Sequence, residues 1–209
     1  GDALGYPIEF ERNIQERQVS KYLFDKGIIS DDTQMSLFTA NALLWRETRA
    51  VLKGIALPLK DAIYLAYLDW LETQTGKKNE KTISWIKEVP ELKEKRAPGN
   101  TCLSTLLSGK MGTLEEPINY SKGCGTVMRI APIGLSIEDP LTAGKIAREA
   151  SAITHGHQLG MIPSDFKAIF INILTNEDLP LEESLEKTLK LYAENSSIYS
   201  EEFSDYFLQ

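Results

Sequence analysis

Apolar residues in this chain recur at helical spacing, and almost nowhere do they alternate with polar residues as a half-buried strand requires. That pattern restricts the chain to a fold built from helices. No internal repeat and no Gly-, Ser- or Pro-rich linker interrupts it, so the expectation is an all-α fold with one domain spanning residues 1–209. A chain of 209 residues is long enough to bury a core without disulfide or metal staples.

The clearest helix follows Ser30-Asp31-Asp32, where Leu37, Phe38, Leu43, Leu44 and Trp45 form an apolar face ahead of Arg46 and Glu47. A second is expected from about Lys60 to Thr73, carrying Ile63, Tyr64, Tyr67, Leu68 and Leu71 and ended by Gly76. Lys77 to Arg96 is charged and poorly periodic, and reads as a surface connection with at most a short helix around Ile83 to Lys87. A short helix over Thr101 to Leu107 is stopped by Gly109. Asp139-Pro140 supplies a cap and a first-turn proline for a helix through Ile146, Ala147, Ala150 and Ile153. Ser164-Asp165 is expected to open a helix with Phe166, Ile169, Phe170, Ile173 and Leu174 on one side, and a last helix starts near Pro180 and runs through Leu185, Leu189 and Tyr192.

Composition narrows the function classes. At 42% hydrophobic and 25% charged residues, the chain has the make-up of a globular protein, and no apolar run reaches the roughly 18–20 residues of a membrane helix. A formal charge of −7 repels a phosphate backbone, which argues against nucleic acid as a partner. Cys102 and Cys124 lack the spacing of a zinc site or a disulfide framework, and we expect reduced thiols and a cytoplasmic location. Gly1-Asp2-Ala3-Leu4-Gly5 reads as the middle of a structural element, so the expectation is a chain that starts inside a longer protein.

Five segments punctuated by glycine and polar residues could carry chemistry. Gly1 to Glu9 sets two glycines around a carboxylate, which is either a close helix contact and turn or part of a site. Ser30-Asp31-Asp32-Thr33 stands at a helix start, where Ser and Asp cap well and acidic groups suit the helix dipole. The same adjacent carboxylates and hydroxyl would also suit a hard divalent cation. Arg96-Ala97-Pro98-Gly99-Asn100-Thr101 is a turn into a helix, whose free N–H groups could equally face an anion. Ser121 to Arg129 places Gly123 and Gly125 between cationic residues, an arrangement suited to backbone donation to a phosphate or diphosphate. It is neither a Walker loop nor a GxGxxG fingerprint. Both histidines fall in Thr154-His155-Gly156-His157 at a helix end, without the spacing of a zinc protease helix.

Taken in order, GDALGYPIE, SDDTQM, RAPGNT, SKGCGTVMRIAPIGL and THGH resemble the ADP-ribosylglycohydrolase family, the relatives of dinitrogenase reductase-activating glycohydrolase and the ADP-ribosyl-acceptor hydrolases. The resemblance spans residues 1 to 157 and implies an all-α fold. It also implies hydrolysis of the glycosidic bond joining ADP-ribose to an acceptor, with two Mg²⁺ or Mn²⁺ ions at the site. The substrate would be an ADP-ribosylated protein or an ADP-ribose-containing small molecule.

By that resemblance, Ser30, Asp31 and Asp32 would be metal ligands, and Asp31 and Asp32 would also orient the attacking water. Glu9 would lie on the mobile segment covering the substrate and assist proton transfer or water exclusion. Ser121, Lys122, Gly123, Cys124 and Gly125 would line the diphosphate and distal ribose, Gly99 and Asn100 would form a second substrate loop, and His155 would contact ADP-ribose. The family completes its metal site with a late Gly-Asp-x-Asp-Thr/Ser motif. Asp165, Asp178 and Asp205 lack its glycine and paired spacing, so half the ligand set is expected to be missing and the domain incomplete. The alternative expectation is a relative that binds ADP-ribose or a nucleotide without cutting it.

Overall fold

Capping residues decide where the longest helices begin and end. In a computed structural model that describes residues 1–10 and 27–195, Ser30 is the N-cap of helix α2 (Asp31–Lys53), its hydroxyl accepting the Asp32 N–H at 3.2 Å. Gly54, with φ 63°, closes the helix in the left-handed conformation that glycine adopts without steric cost. Upstream lie the single-turn helix α1 (Asp2–Gly5) and a 3₁₀ turn at Tyr6–Ile8. Helix α3 (Leu59–Thr75) ends at Gly76, as its sequence predicts. The connection after it holds 3₁₀ turns at Trp85–Glu88 and Pro90–Leu92.

Helix α4 (Asn100–Leu107) leads through an extended stretch to a 3₁₀ turn at Val127–Arg129 and helix α5 (Ala131–Ser136). Helix α6 (Pro140–Ala152) starts where the Asp139 carboxylate accepts the Thr142 N–H at 2.7 Å. Helices α7 (Gln158–Asn176) and α8 (Leu181–Glu194) complete the described fold. There is no strand among the described residues, in agreement with the all-α expectation. No described helix is long and apolar enough to cross a membrane.

Helix α2 packs along α3, α6 along α7, and α5 touches α2, α6 and α7. The main core draws Met35, Phe38 and Ala42 from α2, Ile63, Tyr67 and Trp70 from α3, and the alanine stripe Ala143, Ala147 and Ala150 from α6. A second cluster joins Ile162, Ile169 and Ile173 of α7 to Tyr192 of α8, with Phe166 edge-on to Tyr192 at a centroid distance of 5.6 Å.

Three local expectations are corrected. Leu37 and Leu44 of α2 face outward, Leu44 at 70% exposure, because polar pairs share the buried side. Gln34 accepts the Trp70 indole N–H at 3.2 Å, and the Thr39 hydroxyl lies 2.8 Å from that of Tyr67. Helix α7 begins at Gln158 rather than Ser164 and carries Pro163 inside it, at the cost of one N–H that would have reached back to Leu159. On α8 it is Ser184, Thr188 and Tyr192 that turn inward, while Leu185 and Leu189 are exposed. The Thr188 hydroxyl is buried without penalty because it donates to the Ser184 carbonyl at 2.7 Å.

Candidate active site

The N-terminus of α2 is where the motif segments meet. Asp2 reaches it from α1, and its Oδ2 accepts the backbone N–H of Ser30 at 2.9 Å and of Thr33 at 3.2 Å, together with the Thr33 hydroxyl at 2.6 Å. Burial alone would raise the Asp2 pKa; the hydrogen bonds from Thr33 and Ser30 outweigh it and hold the carboxyl below its ordinary value. Asp2 is thus a second cap on α2, supplied from a distance. Arg96-Ala97-Pro98-Gly99 docks on the other side: the Asp31 N–H donates to the Arg96 carbonyl at 3.1 Å, and the Gly99 N–H donates to Asp31 Oδ2 at 3.0 Å. The chain reverses there through Ala97, whose φ of 51° is unusual for a residue with a Cβ.

Asp31 is buried and Asp32 exposed, and both are harder to ionise than a free aspartate. Burial is the main reason that Asp31 is pushed up to about 6; the Gly99 N–H opposes the shift, and repulsion from Asp32 and Glu9 adds to it. Asp32 is raised by burial and by Asp2, with Lys167 offsetting part. Glu9, exposed at the end of its 3₁₀ turn, is raised by burial and by Asp32 and Asp2. Lys167 of α7 anchors its ammonium on the Val127 carbonyl at 3.0 Å; burial lowers its pKa and Asp32 opposes that. The result is a patch of mutually repelling carboxylates, whose repulsion a bound cation would relieve.

The glycine loop is tied to this patch from behind. Thr101 and Ser121 bring their hydroxyls to 3.2 Å, linking the Gly99 turn to the start of the loop. Asn119 then holds the loop to the histidine segment: its amide donates to the Thr154 carbonyl at 2.8 Å, and its oxygen accepts the N–H of Ser121 at 2.9 Å and of Gly156 at 3.1 Å. The backbones close so tightly that a Cβ on Gly156 would collide with the Asn119 carbonyl, and one on Gly160 would lie 2.8 Å from the Ser121 oxygen. Buried Thr126 donates its hydroxyl to the Gly160 carbonyl. Lys122, Gly123 and Cys124 are exposed on the loop, as is Asn100 at the start of α4.

His155 lies under the loop, almost fully buried. A Cβ on Gly123 would stand 3.3 Å from its Nε2, and one on Gly125 would stand 3.5 Å from its Cε1. Burial, helped by Arg129, lowers the His155 pKa to about 4, so the ring is neutral near pH 7. His157 has a different task, capping α7 by accepting the Leu159 N–H on Nδ1 at 3.0 Å.

Ser30, Asp31, Gly99, Ser121, Gly123, Gly125 and His155 are therefore linked by contacts running through the α2 terminus and the glycine loop. Glu9 reaches this patch only through its charge, and Asp32 through its charge and the N–H it gives to the Ser30 hydroxyl. Asp2 and Arg129, flagged from sequence only as the carboxylate and the cation of their segments, and Asn119, Thr126 and Lys167, to which the sequence assigns no role, complete the arrangement. Arg129, expected to face a phosphate from the end of the glycine loop, is buried instead, while Asn119 sits in a stretch with no sequence signal.

Neither Asp165 nor Asp178 joins the patch. Asp165 is buried on α7 against Gly144 and the Tyr192 hydroxyl, Asp178 sits in the turn before α8, and Asp205 lies outside the described residues. Among the described residues, no three His, Cys, Asp or Glu side chains gather as a metal-holding group. A family model described as ADP-ribosylglycohydrolase matches residues 1–208. No curated protein and no solved structure matches the chain.

Proposed function

This chain belongs to the ADP-ribosylglycohydrolase family, and from that premise we propose that it hydrolyses the glycosidic bond between ADP-ribose and an acceptor with the help of Mg²⁺ or Mn²⁺. The observation that carries the reading is the meeting of segments far apart in sequence. An acidic helix terminus, two glycine-bearing turns and a buried neutral histidine share one network of contacts, linked through Asp31–Gly99, Thr101–Ser121 and Asn119–Gly156. Backbone donors at Gly123 and Gly125 suit a diphosphate, and Lys122 supplies a cation beside them.

Asp31 and Asp32, with the Ser30 hydroxyl, are the donors for a divalent ion. When bound, the ion supplies Lewis-acid charge that acidifies a water and stabilises negative charge near the diphosphate. In this reading Asp31 and Asp32 also orient the water that attacks the anomeric carbon, and Glu9 takes its proton. As that C–O bond forms, the bond to the acceptor breaks and the acceptor leaves with the proton that Glu9 took from the water. A raised carboxyl pKa suits this work because it brings a weak base closer to neutrality.

A second reading is a relative that binds ADP-ribose without cutting it, favoured by the Asp31 carboxylate being engaged by the Gly99 N–H at 3.0 Å. Turnover of a mono-ADP-ribosylated protein, measured with Mg²⁺, with Mn²⁺ and with chelator, separates the two. Release of ADP-ribose that stops with chelator supports the hydrolase; tight ADP-ribose binding with no release in any condition supports the binder.

A further inference from the structure

Arg129 carries a charge that no catalytic step above uses. It is fully buried in the 3₁₀ turn after the glycine loop, and among the described residues no carboxylate pairs with it. Its guanidinium instead lies over the Tyr67 ring, 4.4 Å from the centroid. Nη2 donates to the Ala150 carbonyl at 3.2 Å and to the Thr154 hydroxyl oxygen at 2.7 Å, while Nη1 points at Cys102 Sγ, 3.6 Å away. A buried cation held by neutral groups is costly to keep, and the hydrogen bond to Thr154 has a consequence beyond packing.

Arginine can only donate. The Thr154 oxygen therefore accepts from Arg129, and the one hydroxyl proton is left to be given elsewhere. His155 Nδ1 lies 2.9 Å from that oxygen, and the alternative acceptor, the Cys102 sulfur, is much weaker than an imidazole nitrogen. Thr154 thus donates to Nδ1, and the ring's own proton must sit on Nε2, the nitrogen facing Gly123. A second ring proton would put an imidazolium beside the fixed charge of Arg129.

We infer that Arg129 is a positioning residue which, through the Thr154 hydroxyl, fixes His155 as a neutral Nε2–H donor aimed into the glycine loop. His155 then meets an acceptor oxygen of the ligand without adding charge. The tautomer follows from these contacts alone; only the identity of the ligand rests on the ADP-ribose reading above.

The test is long-range ¹H–¹⁵N NMR of histidine-labelled full chain at neutral pH. His157→Asn serves as background, because Asn keeps the α7 cap and leaves one imidazole to observe. The expected spectrum shows the proton on Nε2 and Nδ1 as acceptor, with Thr154→Ser preserving it and Thr154→Val giving a tautomer mixture. A proton on Nδ1, an imidazolium, or a Thr154→Val spectrum identical to the parent overturns the proposal.

ADP-ribose titration separates this from the functional reading. Affinity falling about tenfold in Thr154→Val and recovering in Thr154→Ser, the worth of one hydrogen bond to a charged group, supports the positioning role. An Nε2–H signature in a parent that binds no ADP-ribose upholds the relay and overturns the ligand assignment.

Discussion

Asp31 is a strained carboxylate of the candidate site, its pKa pushed up to about 6 chiefly by burial. Its folded pKa lies above the ordinary 3.8, so the folded state binds its proton more tightly than the unfolded chain does. The associated stability is fully present below about pH 4 and is lost as pH rises through 6. Asp31→Asn keeps an oxygen to accept the Gly99 N–H and removes the charge. In chelator, its melting temperature should exceed the parent's at pH 7–8, and the gain should vanish near pH 4. His155 runs the other way, losing stability as pH falls from 6.5 toward 4, but it is common to both proteins and cancels in the difference. A variant equally or less stable at pH 8 would contradict the strained carboxylate. Two glycines allow a second prediction. Gly156→Ala should cost the fold more than about 2 kcal/mol through its clash with the Asn119 carbonyl. Gly123→Val sits on an exposed loop and should leave the melting temperature within a few degrees while abolishing ADP-ribose binding. Equal losses of stability at both positions would show that the glycines serve packing alone.

At the scale of elements, α2 is the platform, and its start is over-determined by Ser30 from within and Asp2 from outside. Asp2→Ala should therefore cost about 1–2 kcal/mol, the worth of a cap, and loosen the segment bearing Glu9. Urea unfolding measures the first effect and proteolysis near residues 1–10 the second; an unchanged variant would detach that segment from the site. Helices α2, α3 and α6 were legible because a cap or a closing glycine marks their ends: Ser30, Gly76 and Asp139. The start of α7 was not, since Pro163 reads as a break and the actual cap, His157, looks like a ligand. The buried sides of α2 and α8 escape a reading by apolar spacing for one reason: Gln34, Thr39, Ser184 and Thr188 are polar, and only their tertiary or local backbone hydrogen bonds let them turn inward. The motif segments were visible as glycine and carboxylate clusters. What joins them was not, because Asn119, Thr126 and Arg129 act across contacts that exist only once the chain has closed.

Across the whole molecule, the described fold leaves runs of apolar side chains exposed on α2 and α8. Leu44, Val51 and Leu52 are exposed along α2, with Ile55 just beyond it, and Leu181, Leu185 and Leu189 form a stripe on α8. Such patches favour association, so Leu44→Lys with Val51→Lys should change stability by less than about 1 kcal/mol and raise solubility. Strong destabilisation would mean that those side chains are buried in solution. The candidate site lies apart from both stripes, where α1, α2, α4, α7 and the glycine loop come together around one helix terminus. We propose that this meeting point is an ion-assisted ADP-ribose site. Calorimetric titration of ADP-ribose into the protein, with Mg²⁺ and with chelator, tests it most directly. The account predicts binding that Mg²⁺ strengthens and that Asp31→Ala with Asp32→Ala renders indifferent to the ion; ion-dependent binding that survives the double substitution would contradict it.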